Sequence, residues 1–161
     1  MVRTMRPEEL PVVTDIATRA FRGIYDALED IYGREVFAAV VPDKRTAKIE
    51  QLTAHSRSFP DWIFVCEEGG VVVGVITFSL DPRSKIGVIG NNAVDPACGL
   101  KGIGQQMYKA VLAYFKERGM QFAEVTTGLD PSHDAARRAY ERAGFDVKVE
   151  KVTYYRSLKD V

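Results

Sequence analysis

The sequence predicts a mixed α/β domain, with a mostly antiparallel, twisted sheet of about seven strands flanked by about four helices. Three observations carry this expectation. The N-terminal part repeats its apolar residues at helical spacing. The middle switches to β-branched and aromatic runs broken by turn residues. The last part alternates strand, helix, strand, helix and strand. The chain has 161 residues, of which 46% are apolar and 27% charged. That size and composition fit one globular domain over residues 1–161, with no repeat, linker or low-complexity tract.

The elements follow in order. Val2 to Met5 predicts a short first strand. Leu10, Val13, Ile16, Ala17, Ala20, Phe21 and Ile24 recur at helical spacing, so Leu10 to about Leu28 predicts an amphipathic helix. Pro11 falls in its first turn, where the missing N–H costs nothing. Gly33 to Ser58 predicts a second helical region broken near Pro42-Asp43. Trp62–Glu67 and Val71–Leu80 predict a hairpin around Glu68-Gly69-Gly70. After the turn Asp81–Ser84, Lys85–Val94 completes a meander. Gly87, Gly90 and Asn91-Asn92 are poor strand formers and predict a bulge or a close backbone approach there. A helix from Ile103 stops at Gly119, a strand covers Phe122–Thr127, and a helix over Asp134–Ala143 stops at Gly144. Val147–Val149 and Val152–Leu158 predict the last strands.

Charge and composition exclude some functions. Lys plus Arg number 22 and Asp plus Glu 22, so the basic surplus of a nucleic-acid binder is missing. No apolar run approaches the roughly 18 residues of a membrane span, and Met1–Arg6 lacks the apolar stretch of a signal peptide. Cys66 and Cys98 are too widely spaced for a metal or disulfide framework, which predicts two reduced thiols, no metal and a cytoplasmic protein. His55 reads as a solvated helix residue.

Two stretches carry chemistry. The first, Val94 to Gln106, joins a strand to a helix and contains Gly99, Gly102 and Gly104. Glycines let a backbone approach a ligand without Cβ contacts, and a helix start offers free N–H groups and a positive dipole end. Together they favour a phosphate or pyrophosphate. The order Gly-x-x-Gly-x-Gly is neither the Walker pattern nor the dinucleotide fingerprint. The second stretch runs from Ser132 to Phe145. Small residues allow close packing of this helix, and Tyr140 shares a face with Ala136 and Ala143. Ser132 and Asp134 are both candidate caps.

Taken together, the two stretches resemble the GCN5-related N-acetyltransferase (GNAT) superfamily. Lys101-Gly102-Ile103-Gly104 matches the end of that family's pyrophosphate loop, with Gly99 where Arg or Gln is usual. Ala136, Tyr140 and Gly144-Phe145 match its later pattern, with His133 where Asn is usual. The resemblance implies the acyl-CoA N-acyltransferase fold, with acetyl-CoA as co-substrate in a cleft between splayed strands. It implies that Asn92, Ala93 and Val94 bind the pantetheine arm, and that Gly99, Leu100, Lys101, Gly102, Ile103 and Gly104 cradle the pyrophosphate. Lys101 adds a charge there or is a solvated loop lysine. His133 donates to the pantetheine or phosphate region, or stands in water at a helix start. Many relatives are dimers, so a homodimer is among the expectations.

The implied reaction is direct acyl transfer from acetyl-CoA to a primary amine of a small molecule, peptide or protein, with Tyr140 protonating the departing thiolate. The usual Glu base is replaced by Gly128, which has no side chain. Glu124, Asp26, Glu29 and Asp30 are the remaining acids, the last three reading first as a solvated helix end. The alternative function is a non-catalytic acyl-CoA-binding or regulatory module on the same fold.

Overall fold

The computed structural model describes residues 1–159 and 161. It has five strands, β1 (Val2–Thr4), β2 (Ile63–Glu68), β3 (Val71–Asp81), β4 (Ile86–Val94) and β5 (Phe122–Val125). They form one sheet in the order β1-β2-β3-β4-β5, with β4 and β5 parallel and the other pairs antiparallel. Five helices complete the fold: α1 (Leu10–Tyr32), α2 (Arg34–Val40), α3 (Ala47–Ser58), α4 (Ile103–Glu117) and α5 (Asp134–Arg142).

Strand alternation sorts the core into two layers. Val65 and Val75 pack with Val13, Ile16 and Leu52 of α1 and α3. Their neighbours Cys66 and Ile76 pack with Met107, Val111 and Tyr140 of α4 and α5. Both faces of β3 are covered, which is why Val73–Phe78 is buried without interruption.

The expected turns hold. Gly69 and Gly70 have φ of 58° and 82°, the pair of positive values a two-residue hairpin requires, and Glu68 pairs with Val71. The expected irregularity in β4 also holds. The β3–β4 register shifts between Ile76 and Phe78, where Gly90 and Asn91 of β4 lie opposite the single residue Thr77. The Thr77 hydroxyl accepts from the Asn91 N–H at 2.8 Å and donates to the Asn91 carbonyl at 3.3 Å. A Cβ at Gly90 would lie 2.7 Å from that hydroxyl, and one at Gly87 would lie 2.4 Å from the Phe115 ring.

Three expectations need correction. Among the described residues the sheet has five strands rather than seven, because Val147–Val149 and Val152–Leu158 join no strand and are exposed, Val147 being 86% exposed. The tail is drawn instead to the helices: the Tyr155 ring packs edge-on against Tyr32 at 5.6 Å, and Lys159 pairs with Glu35 at 2.6 Å. The first helix runs past Leu28 to Tyr32, since Lys44 bridges Asp26 and Glu29 at 2.8 Å each and relieves their repulsion. His55 is not fully solvated. It is half-buried, with Nε2 3.2 Å from the Trp62 carbonyl, and burial pushes its pKa down.

Candidate active site

The parallel pairing of β4 and β5 ends at Ile89 and Val125, while β4 continues to Val94. The two strands therefore part at Gly90. Asn92, Ala93 and Val94 still pair with β3 through Ile76, Val75 and Gly74. Among the described residues no strand pairs with their other edge, which leaves backbone groups facing the fork.

Tyr140 reaches this fork from α5. Its hydroxyl accepts from Asn92 Nδ2 at 3.0 Å, and Asn92 Oδ1 accepts from the Tyr108 hydroxyl at 2.8 Å. One asparagine thus orients two phenols. The Tyr108 and Tyr140 rings lie 5.4 Å apart. Burial raises the pKa of both hydroxyls, overriding the hydrogen bonds to Tyr140 that act the other way. Tyr140 therefore keeps its proton at neutral pH.

Local sequence explains how α5 delivers Tyr140. Ala136, Ala139 and Ala143 are small enough to seat the helix on the α4 core. Gln105 of α4 donates to the Ala139 carbonyl at 2.8 Å. Gly144, at φ 98°, ends the helix. That turn brings the Phe145 N–H to the Tyr140 carbonyl at 3.1 Å and its ring against the Tyr140 ring.

The glycine loop precedes α4 on the same side. Asp95 anchors it, accepting from Arg19 at 2.6 Å and from the Ala97 N–H at 2.8 Å. Gly102 caps the helix in the left-handed region, at φ 81°, and supplies no side chain to the first turn. The first helical bond runs from Gln106 N–H to the Gly102 carbonyl at 3.0 Å. The amides of Ile103, Gly104 and Gln105 are therefore free of the helix ladder. Gly99, Leu100, Lys101 and Gly102 are exposed, and Gly99 is also left-handed, at φ 65°. Of the loop residues only Ile103 is buried, as the anchor of the loop.

His133 is held by its own loop. Nδ1 donates to Asp130 Oδ2 at 2.7 Å, and Arg137 donates to the carbonyls of Gly128 and Asp130 at 2.5 and 3.0 Å. Burial pushes the Asp130 carboxyl up, but Ser132 and His133 together outweigh it and the net shift is down. Asp130, and neither Ser132 nor Asp134, caps the turn here, accepting from Ser132 N–H at 3.0 Å. A Cβ at Gly128 would lie 2.6 Å from both Asp130 and His133. The position where a base was sought is thus filled by this pair. Glu124 is exposed and pairs with Val88, one register step short of the fork.

Tyr108, Asn92 as a side-chain bridge, Arg19 and Asp130 were not singled out for these roles by sequence. Tyr108, Asn92 and Asp130 have proximity in sequence to the glycine loop or to His133 as their only signal, and Arg19, 76 residues from Asp95, has none. A cavity of about 850 Å³ lies elsewhere, between α2 and the tail, and holds none of the fork residues.

The sequence pattern of the acetyltransferase (GNAT) family matches residues 21–145, a span that takes in the glycine loop, the fork and α5. The chain belongs to the GNAT family. The solved structures agree on its fold. PaiA N-acetyltransferase from Thermoplasma acidophilum, in complex with coenzyme A, superposes with a TM-score of 0.71 at 17% identity, covering 94% of this chain and 92% of that one. A GNAT family acetyltransferase from Brucella melitensis, in complex with acetyl-CoA, gives 0.61 at 23% identity, over 91% and 82%. The ribosomal-protein-S18-alanine N-acetyltransferase from Escherichia coli gives 0.67 at 16% identity, over 98% and 84%. No individually curated protein sequence matches. Within this GNAT chain no helix of the described residues is long and apolar enough to cross a membrane.

Proposed function

We propose that this GNAT protein transfers the acetyl group of acetyl-CoA directly to a primary amine of a small molecule or peptide. The observation that carries the reading is the Tyr140 hydroxyl, protonated and held by Asn92 at the point where β4 and β5 part. The exposed amides before α4 suit the pyrophosphate, with Lys101 beside them, and the free edge of Asn92–Val94 suits the pantetheine amides. His133, tied to Asp130, shapes the loop beyond the fork. The amine nitrogen attacks the thioester carbon, the C–S bond breaks, and Tyr140 gives its proton to the sulfur.

The ammonium proton leaves by water. Gly128 has no room for a base, Glu124 is exposed outside the fork, and Asp26 and Glu29 are tied to Lys44. The expected rate follows acceptor deprotonation, rising toward alkaline pH.

Tyr140→Phe tests the reading. It removes only the hydroxyl, so turnover should fall by about 10²–10⁴-fold while CoA affinity by calorimetry changes little. CoA binding without turnover on any amine in the wild type would favour the non-catalytic module.

A further inference from the structure

Lys48 is the one buried lysine or arginine among the described residues, at 7% exposure. Its ammonium has three N–H groups. One donates to Gln51 Oε1 at 2.9 Å and one to Asn91 Oδ1 at 2.5 Å, both neutral amide oxygens. The face of Phe21 lies 3.8 Å away. The groups recorded against its ammonium are Phe21 and Tyr25 from α1, Gln51 from α3 and Asn91 from β4. Tyr25 is the only titratable group of the four, and no described carboxylate pairs with Lys48. By contrast, Lys44 nearby in sequence has two carboxylates, and Arg19 has Asp15 and Asp95. A buried ammonium with neutral partners is costly, and an anion would complete it.

We propose that Lys48 is a specificity-determining residue that binds the carboxylate of the acceptor, so that the favoured substrate is a small amine bearing one carboxylate, of amino-acid type. The inference rests on the acetyltransferase reading above for the position of the thioester. Asn91 and Asn92 are consecutive at the fork, and consecutive strand residues point to opposite faces. Asn92 holds Tyr140 on the α4–α5 side, and Asn91 meets Lys48 on the α1–α3 side. The donor's leaving group and the acceptor's anchor are thus placed across one strand from each other. Gln51 is exposed and Asn91 partly exposed, so the acceptor carboxylate would reach Lys48 by displacing Gln51 Oε1 from the ammonium. The third N–H supplies a second bond. One lysine with no arginine fork matches a single negative charge better than a phosphate dianion.

The test uses the full chain with acetyl-CoA and ω-amino acids, each against its own carboxamide, which differ in charge far from the amine. Wild-type kcat/KM should favour the acid by about 10- to 100-fold, the worth of a hydrogen bond to a charged group. In Lys48→Met the acid-to-amide ratio should collapse toward one. Lys48→Gln is the second variant, and thermal unfolding verifies that each is folded. Equal kcat/KM for acid and amide in the wild type, or an unchanged ratio in the variants, would overturn the proposal. If no pair turns over, calorimetry of the same amines with the CoA-bound protein decides: binding of the acid but not the amide supports the anchor, and equal or no binding refutes it. Failure of CoA itself to bind would overturn the acetyltransferase reading, whereas amides acetylated as fast as acids would overturn only the anchor.

Discussion

Lys48 also makes a prediction that needs no ligand. Burial holds its ammonium down to about 8, from an ordinary 10.5. Below about pH 8 the lysine is charged both folded and unfolded, and the folded state carries the full burial penalty. As pH rises from there toward 10.5, the folded protein releases the proton while the unfolded chain keeps it. The unfolded state then binds more protons, so stability rises with pH across this window. At about 1.4 kcal/mol per pH unit, the relief amounts to up to about 3 kcal/mol. Lys48→Met fills the same apolar space without a charge and should lack this rise. The stability of the variant minus that of the wild type should therefore fall by up to about 3 kcal/mol between about pH 7 and about pH 10, measured by urea unfolding of both proteins. Titration of the tyrosines and surface lysines is common to both and cancels. A difference independent of pH would refute the reasoning, since Lys48 would then titrate alike in both states.

The other predictions concern packing and charge. Gly87→Ala puts a Cβ 2.4 Å from the Phe115 ring, and overpacking of this kind costs about 1–3 kcal/mol; the urea midpoint should drop, and Phe115→Leu in the same chain should restore part of it. The Cβ that Gly104→Val adds comes no nearer than an ordinary 3.7 Å to the Tyr108 ring, so the fold should persist while calorimetric CoA affinity falls about tenfold or more. Retained affinity would remove the glycine loop from the binding site. Arg3, followed by burial acting the other way, holds the Glu9 carboxyl down to about 2 from 4.5. Its stabilisation is present above about 4.5 and lost as pH falls through about 2, so Glu9→Gln should lose less stability on acidification than the wild type.

The element order, the two-glycine hairpin, the break in β4 and the glycine loop before α4 are all local. Each follows from what a glycine, a β-branched run or a helical period does within a few residues of itself, so each was legible in the chain. Tyr140 was legible too, because Ala136, Ala143 and Gly144-Phe145 lie within one or two turns of it and together seat and end its helix. The sequence could not say what lies opposite. The alternation of the tail between Val147 and Leu158 suits a strand, yet a strand needs a partner, and contacts with Tyr32 and Glu35 hold the tail elsewhere. Asn92 reads as a strand residue until Tyr108 and Tyr140 arrive from two helices to share its amide. Nothing in the sequence sets Lys48 apart from the other lysines. Only the approach of α1 and β4 encloses it, because whether a charge is buried depends on segments distant in sequence that pack over it.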